Sequence, residues 1–264
     1  MGPCPCLVHR VTAVLVLCAP FMAATFVRAE EEAEVVSQPL EVPDALSARG
    51  DVFRVVSTGK PQVTFLSRTP VETFRGTSSK LTGYAVVPRE EGLLPVQLVG
   101  AEFRLPVVSL DTENPTRNEH MQGDRWMKAK EFPTISFVLR EVREAKEIKQ
   151  TETSRIYKAT LVGTMRVVGV EKELEIPAKL TLRAESEKTR KLAPGDHLEI
   201  DCNFSVTLKD FNLGVEDPGV QQKKIAETMR LMVDVTLARD VAGEEEQEEE
   251  EAEQEEEAAE PEEE

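Results

Sequence analysis

Histidine, cysteine and tyrosine are scarce in this chain, and their scarcity removes whole classes of chemistry. Its 264 residues include three His, four Cys, two Tyr and one Trp. That is a thin supply of nucleophiles, bases and metal ligands. No C-x-x-C pair, H-E-x-x-H helix motif, P-loop or G-x-S-x-G elbow occurs, so the expectation is a protein with no catalytic residues, no metal and no cofactor. Basic charge is also in deficit. Lys and Arg number 32 against 49 Asp and Glu, a net charge of -17. Nucleic acid is excluded as the main partner, because phosphate binding needs a net basic face.

The acid excess is concentrated at one end. Residues 244–264 carry 15 Glu and no base, and the first 29 residues add only Arg10 and Arg28; without these two segments the net charge is -4. Residues 241–264 read as a disordered, self-repelling acidic tail, with too little apolar surface to offset ordering entropy. Weak cation or basic-protein contacts through Glu244–Glu264 are the functional alternative. At the other end, His9 and Arg10 precede an apolar run from Val11 to Val27 and then Val27-Arg28-Ala29. Residues 1–29 therefore read as a secretory signal peptide cut after Ala29, giving a periplasmic or secreted protein. Cleavage removes Cys4, Cys6 and Cys18, so Cys202 stands alone and no internal disulfide framework remains. Residues 30–50, acidic and then punctuated by Pro39 and Pro43, read as a disordered linker.

Between residues 51 and 240 the dominant signal is apolar-polar alternation at period two. In Tyr157–Val167 the odd positions are mostly apolar, and in Leu174–Leu182 the even ones are. Val168-Gly169 between them predicts a long hairpin. Ile135, Phe137 and Leu139 carry the same rule earlier, and Met229–Leu237 later. One wet and one dry face is the mark of antiparallel sheets. About eight such strands hide their edges by closing into a barrel. Short helices are expected at Pro70–Phe74 and around Pro115–Met121. Cys202 falls on an apolar face, and His197, after Pro194-Gly195-Asp196, reads as an exposed loop histidine.

One polar segment breaks the alternation, from Asp111 to Met121. Two readings stand there. Arg117, Asn118 and His120 hydrogen-bond the loop and close the barrel end, or His120 with Ser109 and Asp111 or Asp124 forms a hydrolase or isomerase site, for which no oxyanion-hole pattern is present.

This segment resembles the YceI family of exported lipid-binding proteins. The resemblance rests on Ser109-Leu110-Asp111-Thr112, Arg117-Asn118-Glu119-His120-Met121, Trp126-Met127 and Phe132-Pro133-Thr134-Ile135-Ser136-Phe137. It continues through Gly163–Val170, Glu175-Ile176-Pro177 and Asp210-Phe211-Asn212-Leu213-Gly214, where Asn212 replaces the usual Gly. The resemblance implies an all-β fold, an extended, lipocalin-like, eight-stranded antiparallel barrel, over residues 51–240. It also implies a long isoprenoid or fatty-chain lipid in the interior, for transport, storage or sequestration. Inward candidates for lining it are Phe65, Phe103, Phe137, Leu161, Met165, Leu180, Phe204, Leu231 and Val233. Arg117, His120 and Trp126 are candidates for a polar mouth. Burial of the lipid's methylenes would contribute about 0.8 kcal/mol each. Alternation looks the same for an open tunnel and a filled core, so a solid barrel acting as an interaction module with its acidic tail remains the alternative.

Overall fold

A computed structural model of the chain describes residues 39–89 and 96–241. The expected signal peptide at 1–29, residues 30–38 of the expected linker and residues 242–264 of the expected tail lie outside the described residues.

Among the described residues the alternating segments form ten strands. They are β1 (Gly50–Val56), β2 (Val63–Arg68), β3 (Thr73–Ser78), β4 (Thr82–Pro88), β5 (Gly100–Pro106), β6 (Thr134–Gln150), β7 (Ser154–Val167), β8 (Val170–Arg183), β9 (His197–Thr207) and β10 (Thr228–Arg239). All pairings are antiparallel. The order β1-β4-β5-β6-β7-β8-β9-β10 closes on itself because β10 also pairs with β1 through Phe53–Val56. The β2–β3 hairpin continues the β1 and β4 positions lower down. There β2 takes over the edge of β10 along Arg230–Val233, and Thr77 bridges to Asp111 beyond β5. The ten segments thus occupy eight positions around one closed barrel.

The β7–β8 hairpin forms at the expected place, with Val168 at φ 50° and Gly169 at φ 75°. Two consecutive positive φ values give the tight turn whose twist suits a hairpin, although a β-branched residue is a strained choice for the first. Between β8 and β9 the ladder runs only from Ala178–Cys202 to Arg183–His197. It stops at Pro177, which has no N–H to donate. Beyond that point the strands part, and the 3-10 turn Leu208–Phe211 packs against both.

Three expectations are corrected here. Pro70–Phe74 is not helical. The Thr69 hydroxyl accepts from the backbone N–H of Val71 (3.2 Å) and Glu72 (3.0 Å), and Thr73 onward pairs with β2. The side-chain turn and the strand ladder use the donors that a helix would have needed. The linker is structured from Pro39 on: Asp44–Ser47 make a helical turn (α1), Leu46 covers Gly100, and the Leu40 carbonyl accepts from Arg54 at 2.8 Å. His197 is buried, only 3 % exposed, with Nε2 3.0 Å from the Ala193 carbonyl oxygen. The turn folds back over the ring, so the loop position does not expose it.

The core falls into three clusters, two of which mark the barrel's ends. At the end where β7 begins and β10 finishes, Phe53, Tyr157, Leu180, Leu198 and Leu237 are packed solid. At the opposite end, Val107, Met127, Phe211, Leu213 and Met229 form a second cluster. It lies beneath the helix α2 (Pro115–Gln122), which Asn114 caps by accepting from the Arg117 N–H at 3.1 Å and Pro115 opens at its first position.

Candidate functional site

A cavity of about 220 Å³ lies inside the second half of the barrel. Its extent can be followed strand by strand. On β7 Leu161, Met165 and Val167 line it, while Tyr157 and Ala159 are packed beyond its deep end. On β9 Ile200, Cys202, Phe204 and Val206 line it and Leu198 does not. On β10 Met229 through Val235 line it on alternate residues and Leu237 does not. The open and the filled barrel of the sequence reading are therefore both present, one above the other. Met121, Trp126, Met127, Phe211 and Leu213 line the cavity at its outer end.

The wall is almost wholly apolar, methionine thioethers included. Ser136, the Cys202 thiol and the Trp126 indole N–H are the exceptions. The indole nitrogen donates to Asp217 Oδ2 at 3.0 Å, which leaves the ring's apolar body to the cavity. Burial, and secondarily Asp201, pushes the Cys202 thiol up to about 12, so it stays a neutral thiol at physiological pH. An apolar void of this kind stays dry unless an apolar ligand fills it.

Three inward phenylalanines shape the space, and each lies over a glycine on the adjacent strand. A Cβ on Gly76 would come within 2.2 Å of the Phe65 ring, one on Gly83 within 2.7 Å of Phe103, and one on Gly163 within 2.4 Å of Phe137. Without those methyls the rings pack directly against the glycines, which leaves the centre open. Phe65 also meets Phe74 edge-on, with centroids 6.4 Å apart.

Of the nine inward candidates, Phe65, Phe103, Phe137, Leu161, Met165, Phe204, Leu231 and Val233 line the cavity. Leu180 does not. It is fully buried in the solid half, paired with Ile200 and Tyr157, because the register carries β8 past the deep end before residue 180. Sequence reasoning missed the outer cover, Phe211 and Leu213, which sits in a turn with no periodicity to mark its inner face.

The three polar-mouth candidates separate. Trp126 reaches the cavity. Arg117 turns sideways onto the β2–β3 hairpin, with Nη1 2.9 Å from Glu72 Oε1 and its guanidinium 4.3 Å from the centre of the Phe74 ring. His120 is exposed on α2. Asn118 ties the loop: its Oδ1 accepts from the Thr112 N–H (2.9 Å) and hydroxyl (2.6 Å), and its Nδ2 donates to Asp111 at 2.8 Å. That bond, then one from the Glu113 N–H, holds the Asp111 carboxyl below its usual value of 3.8. Ser109 is engaged elsewhere, with the Ser78 hydroxyl at 2.7 Å and the Pro106 carbonyl at 2.6 Å. The polar segment works as a fastening for the barrel end, and the bonds of Ser109 and Asp111 run to partners other than His120.

A wider depression of about 960 Å³ lies on the outer face, bordered by Lys60, Lys158, Lys179, Asp201 and Asp234. Lys179 pairs with Asp201 at 2.5 Å. Burial, then Asp201 and Glu199, raises the Asp234 carboxyl. Its charges offset one another and the surface is open, so it lacks the enclosure of the interior site. Among the described residues no group of three or more His, Cys, Asp or Glu could hold a metal ion.

A family model described as the YceI-like domain matches residues 55–237. The chain belongs to the YceI-like family. Among solved structures, BcnA of Burkholderia cenocepacia is 16% identical at a TM-score of 0.51, covering 69% of this chain and 98% of its own. A polyisoprenoid-binding domain from Saccharophagus degradans, implicated in plant cell wall breakdown, is 11% identical at a TM-score of 0.51, covering 72% and 99%. The YceI protein of Campylobacter jejuni is 19% identical at a TM-score of 0.44, covering 62% and 84%. At these identities BcnA and the S. degradans domain attest the barrel fold. No curated protein matches the chain in sequence.

Proposed function

We propose that this YceI-like protein is a non-enzymatic, exported binding protein that holds the apolar chain of an isoprenoid or fatty amphiphile in the barrel interior, for transport, storage or sequestration. The observation that carries this reading is the interior cavity, whose apolar wall is interrupted only by Ser136, Cys202 and the Asp217-bound Trp126 nitrogen. Burying methylenes there supplies about 0.8 kcal/mol each, set against the cost of association. The polyisoprenoid-binding S. degradans domain, with the same fold, supports an apolar ligand. Export is supported by the apolar run and Val27-Arg28-Ala29, and the tail from Glu244 acts as a solubilising arm that also meets cations or basic proteins weakly.

Native mass spectrometry and organic extraction of protein purified from its own host test the binding role. A stoichiometric apolar amphiphile is the expected finding. Protein that is always empty, and that fails to take up a fluorescent fatty acid in vitro, overturns it. N-terminal sequencing of the mature protein, expected to begin at Glu30, tests the export signal.

A further inference from the structure

The cavity does not run the length of the barrel. Its deep end is a floor of Leu161, Ile176, Ile200 and Val235. Directly behind that floor Tyr157, Leu180, Leu198 and Leu237 are each no more than 2 % exposed. In ladder register the row runs Val235–Ile200–Leu180–Tyr157 across β10, β9, β8 and β7. One pleated row therefore passes from cavity wall into solid core. A chain entering from the Trp126 end meets these packed side chains behind the floor.

The available depth follows from the strands. From Ile200 to Leu208 the rise is roughly 26 Å at about 3.3 Å per residue, or about 20 Å along the axis after a strand tilt of roughly 35–45°. An extended hydrocarbon advances roughly 1.3 Å per carbon, given single bonds of about 1.5 Å, so length alone admits about 15 carbons. Volume is the tighter bound. An apolar cavity of about 150 Å³ holds one benzene, and on that scale about 220 Å³ holds roughly nine carbons. The interior has no partner for a charged or strongly polar head, so the head remains outside.

We propose that the packed floor at Ile176, Ile200 and Val235 is a chain-length limit, which holds the buried part of a single-tailed amphiphile to roughly nine carbons by volume, about two isoprene units, and to no more than about 15 by length. This rests on the binding role proposed above. The floor residues are specificity determinants: the side chain at each sets how deep the terminal methyl reaches.

The test is a titration of purified full-length protein with saturated fatty acids from octanoic to octadecanoic, and separately with prenyl alcohols of two, three and four units. The two series tell an acyl source from an isoprenoid one. Affinity is expected to rise up to about fourfold per added methylene, the equivalent of ~0.8 kcal/mol, and then to level off or fall at the limit. Ile200→Ala removes part of the floor and is expected to move the break roughly two to three carbons longer, while Ile176→Phe moves it shorter by a similar amount. Ile200→Val, a milder change, carries the same sign if Ile200→Ala does not fold. Affinity that climbs unbroken to octadecanoic acid, or a break unmoved by the floor variants, overturns the length limit and leaves the binding role standing. Failure of every acid and alcohol to bind overturns the length limit, and overturns the binding role as well when protein from its own host is also empty.

Discussion

Gly76→Ala isolates the role of the glycine–phenylalanine contacts. The new methyl would lie 2.2 Å from Phe65 Cε1 and 2.4 Å from Cζ, where carbon atoms rest at about 3.5–4.0 Å. The nearest obstruction at Gly76 is the ring alone, whereas at Gly163 a backbone carbonyl also stands 2.5 Å away. Relief at Gly76 is therefore available by one movement, a retreat of the Phe65 ring by roughly 1.5 Å away from β3 and into the cavity. Overpacking of this kind costs about 1–3 kcal/mol, and losing the edge-on contact with Phe74 adds about 0.5–1.5 kcal/mol. For a domain of this size each kcal/mol lowers Tm by about 2–4 °C, so a fall of roughly 3–18 °C is expected, together with weaker uptake of a fluorescent fatty acid. The assay is thermal unfolding and ligand titration of Gly76→Ala, Phe65→Leu and the double variant. In the double variant the smaller side chain clears the methyl, and the cycle should show a favourable coupling of about 0.5–3 kcal/mol. Additive effects, or a single variant as stable and as competent as wild type, would refute the account of how the cavity is kept open.

Three other expectations can be checked separately. With its thiol pushed up to about 12, Cys202 should resist iodoacetamide at neutral pH in the folded protein and react readily once denaturant is added; rapid labelling of native protein would contradict its burial. The Asp111 carboxyl titrates below its unfolded value of 3.8. Its contribution is therefore complete above that value and disappears as pH falls through the folded one. Asp111→Ala should accordingly speed hydrogen exchange at Glu113 at neutral pH, and match wild type in strong acid. Val168→Asn places a residue that tolerates positive φ at the strained first position of the β7–β8 turn. It should raise Tm by about 1–3 °C, and a fall would mean that the half-buried valine contributes more through packing than it loses in strain.

Much of the fold was legible because alternation reports the face of a strand directly. Leu161, Met165, Phe204 and Leu231 point inward as period two requires, and Asn114-Pro115 marks the start of α2. Alternation does not report height along the barrel. Leu180 and Ile176 obey the same rule on the same strand, yet one lies in solid core and the other on the cavity floor; only the ladder register separates them. The pairing of Phe65 with Gly76 is hidden for the same reason, since the two residues become neighbours only once β2 and β3 are aligned. His197 misled because a Pro-Gly-Asp turn signals a change of direction and says nothing of what folds over it. At Pro70–Phe74 the helix-start signal of proline lost to the Thr69 hydroxyl, a local competitor that strand pairing then reinforced.

The solid half of the barrel has a consequence for ligand release. With Tyr157, Leu180, Leu198 and Leu237 packed and the ring of ladders closed at that end, the fold keeps a complete core whether the other half is empty or full. Binding then acts as mass action on an already folded protein, adding about 2.7 kcal/mol when ligand stands at a hundred times its Kd. A binding protein built this way can release its ligand at low concentration and stay folded while empty, and its heat tolerance should track free ligand over a narrow range.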